Sequence, residues 1–152
     1  MAVRAPVLNL PTDRPRPAVP SFRVASHAFK LKNDVSHDIK AKGQEEDEAA
    51  ILLAAFGVLL HRYTGQEELT VGVASEAGSS EGNPIVLRVD LQGQPTGREV
   101  LRQVSQARKE APSAVFEPHQ TLPFQAMFMY RTQPLGSGDS RLYSDGARGQ
   151  LE

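Results

Sequence analysis

The residues able to do chemistry are few and scattered. His27, His37, His61 and His119 are the only histidines, and the 152 residues contain no cysteine. Histidine is the side chain whose ordinary titration lies near neutral pH, so any proton handling would start from these four. Without thiols there can be no disulfide framework, no cysteine nucleophile and no thiolate-bound zinc. Gly78-Ser79-Ser80-Glu81-Gly82 fits the Gly-x-Ser-x-Gly pattern of a nucleophile elbow, with Asp90 and His119 following in hydrolase order. An elbow needs a strand before the serine and a helix after it. Here a strand-like segment follows through Pro84, which favours an ordinary loop.

Asp34, His37 and Asp38 would share one helical face, yet three ligands without a fourth describe a solvated polar surface as well as a metal site. The acidic run Glu45–Glu48 suits a helix start, where carboxylates oppose the positive end of the dipole, better than an acidic recognition patch. His61 falls in the last turn of the same helix, a capping position. No acid, base or nucleophile accompanies His119 in the sequence, which favours a hydrogen-bonding role over proton transfer. Met127, Phe128 and Met129 read as strand packing. No catalytic residue is assigned from these patterns.

These residues must be positioned by a small set of elements. The charge of 17 basic against 18 acidic groups, net −1, argues against a nucleic-acid partner, which requires a basic surplus. The longest apolar run, Ala49–Leu60, is too short to cross a membrane, and no signal peptide is evident, so a cytoplasmic protein is expected. Pro6, Pro11, Pro15, Pro17 and Pro20 make residues 1–21 an extended, linker-like segment. Alternation over Phe22–Leu31 predicts a strand. Asp34 is placed to cap a short polar helix from Val35 to about Lys42, ended by Gly43.

The strongest prediction is a helix with Glu45, Glu46 and Asp47 in its first turn, an apolar body and Gly65 as a left-handed stop. Strands follow over Leu69–Ala74 and Ile85–Leu91. Thr96-Gly97-Arg98-Glu99 is a capping box for a helix striped with Val100, Leu101, Val104, Ala107 and Ala111 and closed by Pro112. A last strand is predicted over Phe124–Arg131. The expected order is β-α-α-β-β-α-β: an α/β two-layer sandwich with a mixed sheet of about four strands and two main helices, over residues 22–133. Residues 134–152 form a glycine-containing polar tail expected to be flexible.

Several of these segments resemble a known family. Leu10-Pro11-Thr12-Asp13-Arg14-Pro15-Arg16-Pro17 looks like the segment joining the two halves of a nonribosomal peptide synthetase condensation domain. Leu53 through Gln66 is similar to the long helix of that domain's carboxy-terminal half. Val71-Gly72-Val73, Asn83 and Val86-Leu87-Arg88-Val89-Asp90-Leu91 resemble its next two strands. His119-Gln120-Thr121-Leu122-Pro123-Phe124 resembles the family's His-Gln-Asp-Leu-Pro-Phe motif, and the likeness runs from about Leu8 to Tyr130. The resemblance implies one lobe of a chloramphenicol-acetyltransferase-like fold, in which two α/β halves enclose a tunnel. It also implies amide formation between substrates tethered by phosphopantetheine to carrier proteins. The motif positions it marks are Asn83, Arg88, His119, Gln120, Pro123 and Phe124.

The departures from the family are equally specific. The His-His-x-x-x-Asp-Gly motif that supplies the family's key histidine is absent, since no two histidines are adjacent. Ser144-Asp145-Gly146 echoes its end, but Arg141 stands four residues before Asp145. Thr121 replaces the motif aspartate, and the Gly-x-Phe-Val-Asn-Thr motif is reduced to Ser80-Glu81-Gly82-Asn83-Pro84. Gln125-Ala126-Met127-Phe128 resembles a downstream strand, as though an intervening segment had been deleted. The reading is a shortened condensation-domain fragment, inactive alone. Its partners would be a peptidyl carrier protein or a complementary half, with self-association as a further possibility. The alternatives are a small acyltransferase using His119 and a non-functional relic.

Overall fold

The structure is a computed structural model, and it describes residues 7–15, 25–44, 47–74, 84–111 and 123–132. The chain divides into two units: Met1–Pro11 with Leu31–Tyr130, and Thr12–Lys30 with Arg131–Glu152. In the described part of the second unit there is no helix or strand, and His27 stacks on Phe29 with centroids 6.2 Å apart. The strand predicted over Phe22–Leu31 is therefore not present in its described residues, 25–31, which are all exposed. Alternation defines two faces but supplies no partner, and an unpaired strand cannot satisfy its own amides.

The first unit is the α/β body. Its elements run α1 (Asn33–Lys42), α2 (Glu48–Thr64), β1 (Glu68–Val73), β2 (Ile85–Asp90), α3 (Gly97–Glu110) and β3 (Met127–Phe128). Helix α1 begins before the predicted Asp34 cap: Lys32 holds the cap position without a side-chain bond, and Asp34 lies inside the first turn. There its carboxylate still opposes the helix dipole, which explains the acid without a capping role.

Asp47 is the N-cap of α2 rather than a first-turn residue, its Oδ1 accepting from the Ala49 amide at 3.0 Å. Gly65 ends the helix at φ 69°, where a side chain would be strained, and its amide donates to the His61 carbonyl. The capping box of α3 is complete: Thr96 N donates to Glu99 Oε2 at 2.7 Å, and Glu99 N donates to Thr96 Oγ1 at 3.4 Å.

The three strands form one mixed sheet, ordered β2-β1-β3. Strands β1 and β2 are antiparallel, pairing Leu69 with Val89 and Val71 with Leu87, and β3 runs parallel to β1, pairing Gly72 with Met127. The last strand is shorter than the predicted Phe124–Arg131 because β1 ends at Val73, leaving nothing for β3 to pair with beyond Phe128.

Side chains alternate across a strand, so Leu69, Val71 and Val73 share a face with Leu87, Val89 and Leu91. That face meets α2 and α3. Leu53, Val100 and Val104 are buried against it, and a Cβ at Gly57 of α2 would lie 3.4 Å from Val89. The result is the expected two-layer arrangement, with helices covering one side of the sheet.

Candidate functional site

The opposite face of the sheet carries the sequence-marked positions that the structure describes. The register puts Arg88 of β2 beside Thr70 of β1, and Val86 beside Gly72. Arg88 is exposed and forms an ion pair with Glu68, whose other oxygen accepts from Gln92 Nε2 at 3.2 Å. An exposed pair of this kind contributes little to stability, and it leaves a charged patch on the helix-free face.

Phe124 is buried and lies over Gly72. A Cβ placed at Gly72 would come within 2.5 Å of the Phe124 ring, so glycine is what lets the ring reach the strand. Pro123 is half-buried beside it. Arg88 and Phe124 thus belong to one face, whereas Asn83, His119 and Gln120 lie outside the described residues. The possible elbow at Gly78–Gly82 also lies outside them, while Asp90 accepts a turn hydrogen bond from the Gln92 amide at 2.9 Å.

Two further residues have roles that the sequence pattern did not reveal. Gln66, just after α2, uses its side-chain amide as a substitute strand: Nε2 donates to the Val7 carbonyl at 2.9 Å and Oε1 accepts from the Asn9 amide at 2.7 Å. Gln125 Oε1 accepts from the Leu8 amide at 2.7 Å, and Leu8 itself is buried in the core. The segment before the proline stretch is therefore pinned to the α/β body at three consecutive residues. Periodicity could not reveal this, because side-chain to backbone bonds between distant residues leave no period. Phe128 reaches the helix layer instead, its ring 5.9 Å from Phe56.

The helices' ionisable groups serve the fold. His61 Nδ1 lies 2.8 Å from the Gln66 carbonyl and closes the end of α2. At the other end of α2, Arg108 pairs with Asp47, and Tyr130 Oη donates to Glu48 Oε2 at 2.6 Å. Glu99 is held below the usual carboxylate range, chiefly by the Thr96 backbone amide it accepts from and then by the Thr96 hydroxyl. Among the described residues no three His, Asp or Glu side chains converge as metal ligands, so Asp34, His37 and Asp38 do not form a cluster. No helix of the described residues is long and apolar enough to cross a membrane. Chemically, the described positions amount to a wall with an aromatic lid and a charged patch.

The family model of the Condensation domain matches residues 1–135. A linear gramicidin synthase of Brevibacillus parabrevis is 41% identical over 134 residues, covering 80% of this chain and 2% of its own length. Chondramide synthase of Chondromyces crocatus is 39% identical over 129 residues, covering 78% of this chain and 3% of its own. The chain thus spans a few per cent of the length of these curated relatives.

Among solved structures, the X-domain from teicoplanin biosynthesis superposes with a TM-score of 0.61 at 28% identity, over 68% of this chain and 26% of that one. A four-domain nonribosomal peptide synthetase shares the fold with a TM-score of 0.67 at 23% identity, over 88% of this chain and 12% of that one.

Proposed function

This chain belongs to the condensation-domain family of nonribosomal peptide synthetases, and from that premise we propose that it is a carboxy-half lobe that acts by binding rather than by catalysis alone. The observation that carries the proposal is a pairing of presence and absence. Family likeness extends over residues 1–135, yet the sequence contains no two adjacent histidines and hence no His-His-x-x-x-Asp-Gly motif. The proposed partners are a complementary half bearing that motif and a peptidyl carrier protein. Phosphopantetheine belongs to the carrier, as the tether of the substrate, and the proposed setting is cytoplasmic.

The family-motif positions Asn83, Arg88, His119, Gln120, Pro123 and Phe124 are proposed as a lining and support of the shared chamber, with none of them assigned as a catalytic acid or base. Two features support a binding role. Met127, which pairs with Gly72 on the sheet face away from the helices, is 50% exposed, and Met129 just beyond the strand is 46% exposed, apolar surface suited to a second lobe. Arg88 and Phe124 lie on that same face, one charged and one apolar.

The test mixes the purified chain with carrier proteins loaded with donor and acceptor amino acids, with and without a separately expressed amino-half lobe. The expected result is no condensed product from the chain alone and product with both halves present. Turnover by the chain alone, abolished by His119→Ala, would replace this reading with a self-sufficient acyltransferase.

A further inference from the structure

We infer that the trough between α2 and α3 is a docking site for an acidic amphipathic helix of a partner protein. It has a volume of about 660 Å³. Ala54 and Val58 of α2 and Val100 and Leu101 of α3 form its apolar floor, while Lys42 and Arg98 stand at its rim. The inference stands apart from lobe pairing, because it uses the helix layer and not the opposite face of the sheet.

Charge identifies the first property of the occupant. Arg88 and Arg108 each pair with an acid from another element, but Lys42 and Arg98 have no acidic partner among the described residues. No carboxylate is among the described residues lining the trough, and the Glu99 carboxylate beside Arg98 in sequence is taken up by Thr96. Two cations without an acidic partner among the described residues, flanking an apolar floor, complement carboxylates that flank an apolar stripe.

Shape identifies the second. Along α2, Ile51, Ala54, Ala55 and Val58 follow the i, i+3, i+4, i+7 spacing of a helix–helix seam, and they span about 10 Å, or two turns, at ~1.5 Å per residue. Ala54, Ala55 and Gly97 are small enough for a second helix to approach to an ordinary packing distance of about 8–10 Å. Ala55, Gly97, Arg98 and Lys42 are all exposed, so the trough is open along its length. Small-molecule sites enclose most of their ligand, whereas a helix laid in a groove keeps its polar face in water.

The test uses a labelled peptide of ~16 residues, about four turns, with Leu at i, i+3, i+4 and i+7 and Glu on the flanking positions. A twin carries Lys in place of every Glu. Fluorescence anisotropy against the full chain should show the acidic peptide binding about tenfold more tightly than its twin, with the advantage shrinking as salt is raised. The double variant Lys42→Glu/Arg98→Glu should reverse that preference, and Ala55→Phe should weaken both peptides while leaving the far-UV spectrum unchanged. Amide-exchange protection on binding should fall on α2 and the first turn of α3. Equal binding of the two peptides, indifference to the double reversal, or protection confined to the sheet would overturn the inference. So would binding of laurate with no binding of either peptide.

Discussion

The two faces of β1 are closed in different ways. On one, Leu69, Val71 and Val73 meet a layer of side chains from β2, α2 and α3, all within a single core. On the other, one ring from far along the chain, Phe124, covers Gly72. The first face is secured by many partners, so its geometry is over-determined. On the second, the fit at Gly72 is reciprocal, between a large side chain and a missing one.

Truncations that break this comparison should give the largest effects. Leu53→Ala, at a fully buried position beneath the helix layer, should cost about 2–5 kcal/mol, and Phe124→Ala about 3 kcal/mol, both read from urea unfolding followed by circular dichroism. A near-neutral Phe124→Ala would mean that the second face is not closed by that ring.

A sharper test is coupling. Gly72→Ala should cost about 1–3 kcal/mol by crowding the ring. Adding Phe124→Leu should restore part of that loss, giving an interaction energy of at least about 0.5 kcal/mol in a double-mutant cycle. Additive effects would separate the two residues.

The smallest expected effect lies outside both faces. Thr96→Ala should cost about 1 kcal/mol through the lost cap. Glu99 has its folded value depressed, so its contribution is full above the ordinary glutamate range and is lost as pH falls through the folded value. The difference between wild type and Thr96→Ala should therefore narrow on acidification from about pH 6 to pH 3. A constant difference across that range would separate the cap from the Glu99 charge.

The elements that were legible in the sequence are those whose signals are local. The Thr96–Glu99 box, the Gly65 stop and the alternation over Ile85–Leu91 each involve neighbours a few residues apart, and each appears in the structure. Alternation over Phe22–Leu31 misled because it reports faces without reporting a partner. The short β3 was over-extended because its length is set by where β1 stops.

Of the described motif positions, the place of Arg88 on the polar side of β2, with Asp90, was legible from alternation, and Phe124 was marked through its motif. Its reason for being there, the open space above Gly72, is a distant contact. The clasp of Gln66 and Gln125 on Val7–Asn9 had no local signature either, since a polar side chain in a loop looks the same whether it binds water or a remote backbone.

The parallel pairing of β3 with β1 has a consequence for biosynthesis. During translation, β1 can zip to β2 once the chain through Asp90 has left the ribosome, but its second edge must wait until α3 and the residues beyond it have been made. For that interval the nascent chain presents an unprotected edge beside a bare glycine, the kind of template on which neighbouring chains assemble. Slowing elongation between Asp90 and Met127 should lower soluble yield, even though the finished protein would be unchanged.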